Sequence, residues 1–319
     1  MEKIMIIETN GLSKKYKKIK SKGLLKKEYI DYSAVNNITL SIEKNEHIGL
    51  VGLNGSGKST LIKMILGILQ PTGGEVKTFD RDPVKFRQKN AMHIGIVFGQ
   101  RSQLRWDLPP IDTFKLNREI YRIPVDVYEE RLARLTKLLD AAEFLYQPVR
   151  TLSLGQRMKA EFIAALIHDP ELIILDEPTI GLDVVTKNSI VSFLKTLTDK
   201  TIIFTSHDLE EVEKVCSRVI ILNRGKLVLD KSIAEVEKLD TPTTIKFTTQ
   251  DDLSKIQGKL EIRKVSDSSY EVADIASDEV KNTLSLITGQ LDIQHIEVKR
   301  SKLEYLLEQT AERRDNFES

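Results

Sequence analysis

Apolar residues along the chain fall into two patterns. Ile48-Gly49-Leu50-Val51, Ile94-Gly95-Ile96-Val97-Phe98 and Leu172-Ile173-Ile174-Leu175 are short runs with no polar side, and Thr201-Ile202-Ile203-Phe204-Thr205 is a β-branched run of the same length. Such runs mark strands buried on both faces of a parallel sheet. Between them apolar residues recur at helical spacing, over residues 61–69 and at Ile190, Phe193, Leu194 and Leu197. This alternation predicts an α/β domain. Residues 4–9 read as an edge strand, residues 35–42 as a strand with alternating apolar positions, and Val76 begins a further short strand. Residues 219–222 and 226–229 read as a hairpin around Asn223-Arg224-Gly225.

Two stretches depart from that pattern. Residues 101–148 read as largely helical, with helices at 112–121 and 125–145, the second carrying Leu132, Leu135, Leu138 and Leu139 on one face. The next helix opens at Ser153, where Ser153-Leu154-Gly155-Gln156 has capping-box spacing, and it ends before Pro170. A helical subdomain of about 101–165 is therefore inserted into the α/β domain. After Asp230 the parallel pattern stops. A short helix at 232–239 and Pro242 are followed by a strand at 244–248, a helix at 251–257, strands at 260–265 and 270–272, a helix at 278–287 and a strand at 293–298. That order is β-α-β-β-α-β, a ferredoxin-like α+β arrangement. The expected division is 1–231, a linker at 232–242, and a small domain at 243–319.

With 319 residues the chain is long enough for about two domains. Its 48 basic and 47 acidic residues leave no global charge that selects nucleic acid or membrane. The charge is uneven, however: residues 14–28 carry eight lysines and one glutamate. This segment reads as a solvated loop or hairpin insertion, or more sharply as a patch for anionic lipid headgroups or nucleic acid. The single Cys216 excludes an internal disulfide and a multi-cysteine metal site. No apolar run approaches the roughly 20 residues needed to span a bilayer, and the N-terminus does not read as a signal peptide.

The chemistry concentrates at the ends of the apolar runs. Gly52-Leu53-Asn54-Gly55-Ser56-Gly57-Lys58-Ser59-Thr60 fits the phosphate-loop pattern, between a strand and a helix as that pattern requires. Backbone N–H groups and the helix N-terminus converge there on an anion. Lys58 is placed to reach the β- and γ-phosphates, and the Ser59 hydroxyl to ligate Mg2+. Asp176 and Glu177 end the most apolar run, where ligands of α/β sheets bind. Asp176 is expected to hold magnesium and Glu177 to polarise the attacking water. His207 follows the β-branched strand at 201–205 onto the same sheet edge as Asp176, and Gln100 follows residues 94–98, where its amide suits a hinge.

Taken in order, residues 52–60, Gln100, Leu152-Ser153-Leu154-Gly155-Gln156, residues 172–177, Asp183 and His207 resemble the ATPase subunit of an ABC transporter over roughly residues 4–230. The signature at Ser153, Gly155 and Gln156 is the most specific part, since simpler phosphate-loop NTPases lack it. The resemblance implies ATP and Mg2+ as ligands, with Asn54, Gly55, Ser56, Gly57, Lys58, Ser59 and Thr60 cradling phosphate. Gln100 would contact magnesium and sense the membrane partner. Glu177 would be the catalytic carboxylate, Asp183 the dimer-contact residue and His207 the switch on the γ-phosphate. Tyr16 matches the aromatic that stacks on adenine, with Tyr29 and Tyr32 as competitors.

The resemblance further implies two ATPase subunits sandwiching ATP and a separate membrane permease. It places the chain peripherally on the cytoplasmic face of the cell membrane, and residues 100–107 resemble the exporter type. The signature has Leu154 where many members have glycine, and Ile180 stands where a small residue is common; neither removes a catalytic group. The alternative is a soluble ABC-type ATPase acting on DNA or ribosomes. Against it stand one ATPase domain in the chain and no sustained heptads between phosphate loop and signature, and no specific nucleic-acid partner is expected.

Overall fold

The structure, a computed structural model, describes residues 3–22, 27–99, 101–239, 241–256, 258, 260–276, 278–299 and 302–312, without the side chains of 18–22, 27–30, 255, 299, 308 and 310–312. The chain divides into two compact units, Met1–Ile233 and Ala234–Ser319. The first unit runs β1 (Met5–Lys22), β2 (Lys27–Glu43), β3 (His47–Val51), α1 (Lys58–Ile65), β4 (Gly73–Thr78), α2 (Arg87–Ala91), β5 (Ile94–Phe98), α3 (Pro110–Ile120), α4 (Val125–Leu138), α5 (Leu154–Leu166), β6 (Leu172–Asp176), α6 (Val184–Lys195), β7 (Thr201–Thr205), α7 (Leu209–Val215), β8 (Arg218–Asn223) and β9 (Lys226–Ser232).

A six-stranded sheet has the order β5-β6-β7-β3-β8-β9, parallel except for β9. Strands β3, β5, β6 and β7 are the unbroken apolar runs, and they are largely buried on both faces. Ile48, Leu50, Ile94, Leu172, Ile174, Ile203, Ile220 and Leu222 share one core with Leu61, Ile62, Met64 and Ile65 of α1 and with Ile7, Leu12, Val35, Ile38 and Val76 of a second sheet. Helix α1 thus lies within a core built from both sheets. The opposite face meets α7 at Gly49, where a Cβ would stand 2.2 Å from Val212, and α5 at Gly95, where it would stand 2.4 Å from the Ala165 carbonyl.

The second sheet is antiparallel with the order β2-β1-β4. Residues 4–9 are therefore not an edge strand: β1 is the centre of this sheet, paired with β2 from Met5 to Lys22 and with β4 from Ile7 to Ser13. The lysine-rich segment is no loop over its described part. Residues 14–22 and 27–35 continue the β1–β2 ladder as a hairpin arm, with Lys22 opposite Lys27. Helix α4 ends at Leu138, well before residue 145, because Asp140 turns left-handed at φ 49 and stops it. Leu138 faces solvent, while Leu135 and Leu139 are buried.

The second unit contains α8 (Ile233–Glu237) almost entirely, then β10 (Thr243–Thr249), β11 (Ile262–Lys264), β12 (Ser269–Ile275), α9 (Val280–Gln290), β13 (Ile293–Lys299) and α10 (Lys302–Glu312). Its antiparallel order, β11-β12-β10-β13, is that of a ferredoxin-like sheet. The helix expected at 251–257 is only a 3-10 turn, Leu253–Lys255, capped by Asp252. Residues 234–239 belong to this unit rather than to a free linker, since Lys302 Nζ donates to the carbonyls of Glu237 and Leu239. Ile245, Phe247, Val272, Val280 and Ile287 form its core.

His168 lies just past the C-terminal end of α5. Its Nε2 donates to the Ile94 carbonyl at 3.1 Å and its ring stacks on Tyr121 at 3.8 Å between centroids. Burial holds its pKa down to about 4 from the ordinary 6.5, against the opposing pull of the Ile94 carbonyl. The folded chain favours neutral His168, so this contribution is whole above pH 6.5 and is lost as pH falls towards 4. At full extent it is worth about 3 kcal/mol, at roughly 1.36 kcal/mol for each pKa unit. His168→Phe keeps a ring for the stack and removes the titration. Urea unfolding at a series of pH values between about 6.5 and 4 should then show a shallower fall in stability for the variant than for the parent.

Candidate active site

β3, β7 and β6 are neighbours in the sheet, so the loops leaving their C-terminal ends lie side by side. The three loops begin at Gly52, Ser206 and Glu177. In the first, the Ser56 N–H donates to the Leu53 carbonyl at 3.0 Å, and the Gly225 N–H of the β8–β9 turn donates to the Ser56 carbonyl at 2.9 Å. Gly57 caps α1 at φ +108, and a Cβ there would stand 2.4 Å from the Ala34 carbonyl, so both backbone and space require glycine. The first turn of α1 has no acidic residue to compete with a bound anion. Lys58 is buried, and its Nζ donates to the carbonyls of Gly52 at 2.6 Å and Leu53 at 3.3 Å. Burial lowers its pKa, and the charges of Glu177 and Asp176 pull it back up.

Asp176 closes β6, and its Oδ1 accepts from the Thr205 hydroxyl at 2.8 Å. The Glu177 N–H is shared between the Thr205 carbonyl and Oγ1, each at 3.1 Å. Glu177 itself is left-handed, at φ 53, which turns its side chain off the strand direction. The Glu177 Oε1 lies 2.8 Å from His207 Nε2. Ser59, Gly99, Arg101, Asp176 and Glu177 line one cavity of about 380 Å³. The Ser59 hydroxyl and the Asp176 carboxylate at this cavity suit magnesium, which prefers oxygen ligands and usually keeps phosphate or water in its shell. Among the described residues no cluster of three or more His, Cys, Asp or Glu side chains could hold a metal without such help.

The remaining predicted residues lie elsewhere. Ser153 caps α5: its Oγ accepts from the Gln156 N–H at 3.1 Å, and Gln156 Oε1 accepts from the Ser153 N–H at 3.0 Å. A Cβ on Gly155 would stand 2.9 Å from the Thr186 side chain, so the start of α5 packs closely on the start of α6. Asp183 caps α6, accepting from the Thr186 N–H at 2.9 Å and from its hydroxyl at 2.7 Å; these bonds lower its pKa. Ser153, Gly155, Gln156 and Asp183 therefore form a group of their own, outside the cavity of Ser59 and Asp176.

Tyr16 pairs across the ladder with Tyr32, whose hydroxyl donates to the Gly55 carbonyl at 3.2 Å. Lys14 Nζ stands 5.5 Å from the Tyr16 ring centroid. Gln100 and the Tyr29 side chain lie outside the described residues. Thr205 was not foreseen. Its position, opposite Asp176 on the neighbouring strand, depends on strand pairing that one sequence does not specify.

A model of the family described as "ABC transporter" matches residues 35–180. The chain is 34% identical over 197 residues to the ABC transporter ATP-binding protein NatA of Bacillus subtilis, covering 61% of this chain and 80% of that protein. This chain belongs to the ATP-binding proteins of the ABC transporter family. It is 28% identical over 276 residues to Nod factor export ATP-binding protein I of Cupriavidus pinatubonensis, covering 85% of this chain and 84% of that one. Among solved structures it is similar to the dimeric ATP-binding cassette MJ0796 in a post-hydrolysis state with ADP and Pi. The TM-score is 0.60 and the identity 26%, over 71% of this chain and 98% of that one. As an ABC ATPase the chain binds and hydrolyses ATP, and it is the ATP-binding subunit of a transporter.

In this ABC ATPase, Lys58→Ala removes a cation from the phosphate loop while leaving the apolar core of α1 in place. ATP binding measured by calorimetry should drop at least about a hundredfold, the order expected for a buried charge on phosphate, with the far-UV circular dichroism unchanged. Parental affinity in the variant would show that Lys58 does not meet the nucleotide.

Proposed function

We propose that two copies of this chain close around ATP and drive a permease carried on a separate membrane chain, of the exporter type. The observation that carries the reading is the convergence of Ser59, Asp176 and Glu177 on one cavity, with His207 2.8 Å from Glu177. Export is the function named for relatives such as Nod factor export ATP-binding protein I. No described helix is long and apolar enough to cross a membrane, which suits an ATPase attached peripherally at the cytoplasmic face.

The roles follow from the groups. Lys58 now satisfies its ammonium on the carbonyls of its own loop, and a bound β,γ-phosphate would replace them. Ser59 and Asp176, with Gln100 from outside the described residues, would hold Mg2+, which supplies charge neutralisation at the phosphates. Glu177 polarises the water that attacks the γ-phosphate, and His207 orients Glu177 and meets the γ-phosphate. Ser153, Gly155, Gln156 and Asp183 lie apart from this cavity, which fits a site completed by the signature of a second copy. Tyr32 touches the phosphate loop at Gly55 and Tyr16 stands opposite it on the ladder, so Tyr16 is the platform for adenine with Tyr32 as its competitor.

Glu177→Gln keeps the shape of the side chain and removes the charge that polarises water. Hydrolysis should stall with ATP bound, and light scattering with ATP and magnesium should move from the 36.3 kDa chain towards twice that mass. Adding Ser153→Arg should restore the single-chain mass by filling the phosphate site in trans. A Glu177→Gln chain that stays monomeric at saturating ATP rules out a homodimer that closes by itself.

Trp106, at the head of the helical insertion, is 56% exposed, with the Arg157 guanidinium 6.0 Å from its ring centroid. An exposed tryptophan there fits a surface for the permease. Trp106→Ala should leave basal ATP hydrolysis at the parental rate and reduce co-purification with the permease. Parental co-purification together with a lowered Tm would make Trp106 a packing residue instead.

A further inference from the structure

Glu177 and His207 sit on different loops, and a contact of 2.8 Å between their side chains requires that both loops be fixed. Two hydroxyls close to that pair point to the same place. The Thr179 Oγ1, two residues past Glu177, donates to Glu211 Oε2 at 2.6 Å. The Ser206 Oγ, one residue before His207, donates to the same oxygen at 2.8 Å. The other oxygen, Glu211 Oε1, is 3.0 Å from Lys187 Nζ, which also reaches Asp208 Oδ2 at 2.8 Å. Glu211 is only 4% exposed, and a carboxylate this buried persists because Lys187 offsets its charge and Oε2 accepts both hydroxyls.

Local geometry shows that Glu211 has been diverted from an ordinary task. Asp208 caps α7, and Asp208-Leu209-Glu210-Glu211 has the capping-box spacing, in which the fourth residue would reach back to the N–H of the first. Here the Ser206 Oγ takes the Asp208 N–H instead, at 3.0 Å. Glu211 is thereby free to span from α7 to the loop after β6 and to α6. The clamp joins three segments: the turn carrying Glu177, the turn carrying His207, and the helix whose N-cap is Asp183.

We propose that Glu211 is a positioning residue for ATP hydrolysis, locking the loop of Glu177 to the loop of His207. The inference rests on the reading of Glu177 and His207 as the hydrolytic pair. Glu211 does not line the cavity of Ser59, Asp176 and Glu177. It acts by removing the relative freedom of the two loops, and misplacement by about 1 Å costs of the order of a hundredfold in rate.

The test uses the full chain with ATP and magnesium. Glu211→Gln keeps the volume and loses the charge facing Lys187. Thr179→Val removes a single hydroxyl at nearly constant shape, and serves if the first variant fails to fold. Either should lower kcat, by about tenfold to a hundredfold for Glu211→Gln and less for Thr179→Val, with KM within about threefold of the parent. Each is then combined with His207→Ala. A clamp that acts through the pair adds nothing once the pair is gone, so the double variant should match His207→Ala within about twofold. Losses that multiply, as for a structural residue acting independently, would overturn the proposal. So would a folded Glu211→Gln chain at parental kcat beside a slow His207→Ala chain. A His207→Ala chain as fast as the parent would overturn the hydrolytic pair and the clamp together.

Discussion

The site depends on what Thr205 does at the end of β7. Its hydroxyl donates to Asp176 and receives the Glu177 N–H, which its carbonyl also accepts. One residue thus fixes the carboxylate that ends β6 and the backbone of the residue that follows. Without such a restraint Glu177 would leave the strand in extended conformation. A left-handed backbone costs a side-chain-bearing residue of order 1 kcal/mol, and each hydrogen bond returns about as much. The balance is close, so the turn survives because the parallel pairing of β6 with β7 brings Thr205 opposite Asp176. Sheet register therefore decides where the charge of Glu177 is presented, and it brings His207 within reach of that charge.

The groups assigned to a second subunit are built by different means. Ser153 and Asp183 are both helix N-caps, and their side chains already serve the backbone N–H groups of α5 and α6. Capping and anion contact are compatible, because a cap satisfies one of the first-turn N–H groups and leaves the others to point outwards. Packing of Gly155 on Thr186 couples the two helix starts, so Ser153 and Asp183 keep a fixed relation to each other within one chain. This helix pair meets the hydrolytic loops through Lys187, three residues beyond Val184 on α6, which reaches Asp208 and Glu211.

What the sequence disclosed follows how local the physics is. The phosphate loop, the capping box at Ser153 and the unbroken runs of β3, β5, β6 and β7 are set by residues a few positions apart, and each was legible. The partners of β1 were not: two-sided pairing is a tertiary fact, and residues 4–9 carry the same side chains whether central or at an edge. The end of α4 depended on Asp140 adopting a left-handed backbone, for which aspartate is permitted but not required. The expected helix at 251–257 starts only after the Asp252 N-cap, and the left-handed Gly258 follows its single turn. Thr205 and Glu211 were invisible for another reason. Each looks like an ordinary strand end or helix cap until the neighbouring strand and helix are in place.

The charges around the phosphate loop also bear on the proposed metal. Lys58 is the cation at its base, and Asp176 and Glu177 are near enough to raise its pKa against burial. A triphosphate brought onto Lys58 meets those two carboxylates at short range. Like charges about 4 Å apart repel by roughly 4 kcal/mol at the effective dielectric of a protein surface. One ammonium cannot offset two carboxylates and the terminal phosphates together. A divalent cation held by Ser59 and Asp176 would convert that repulsion into attraction, while Glu177 is turned towards His207.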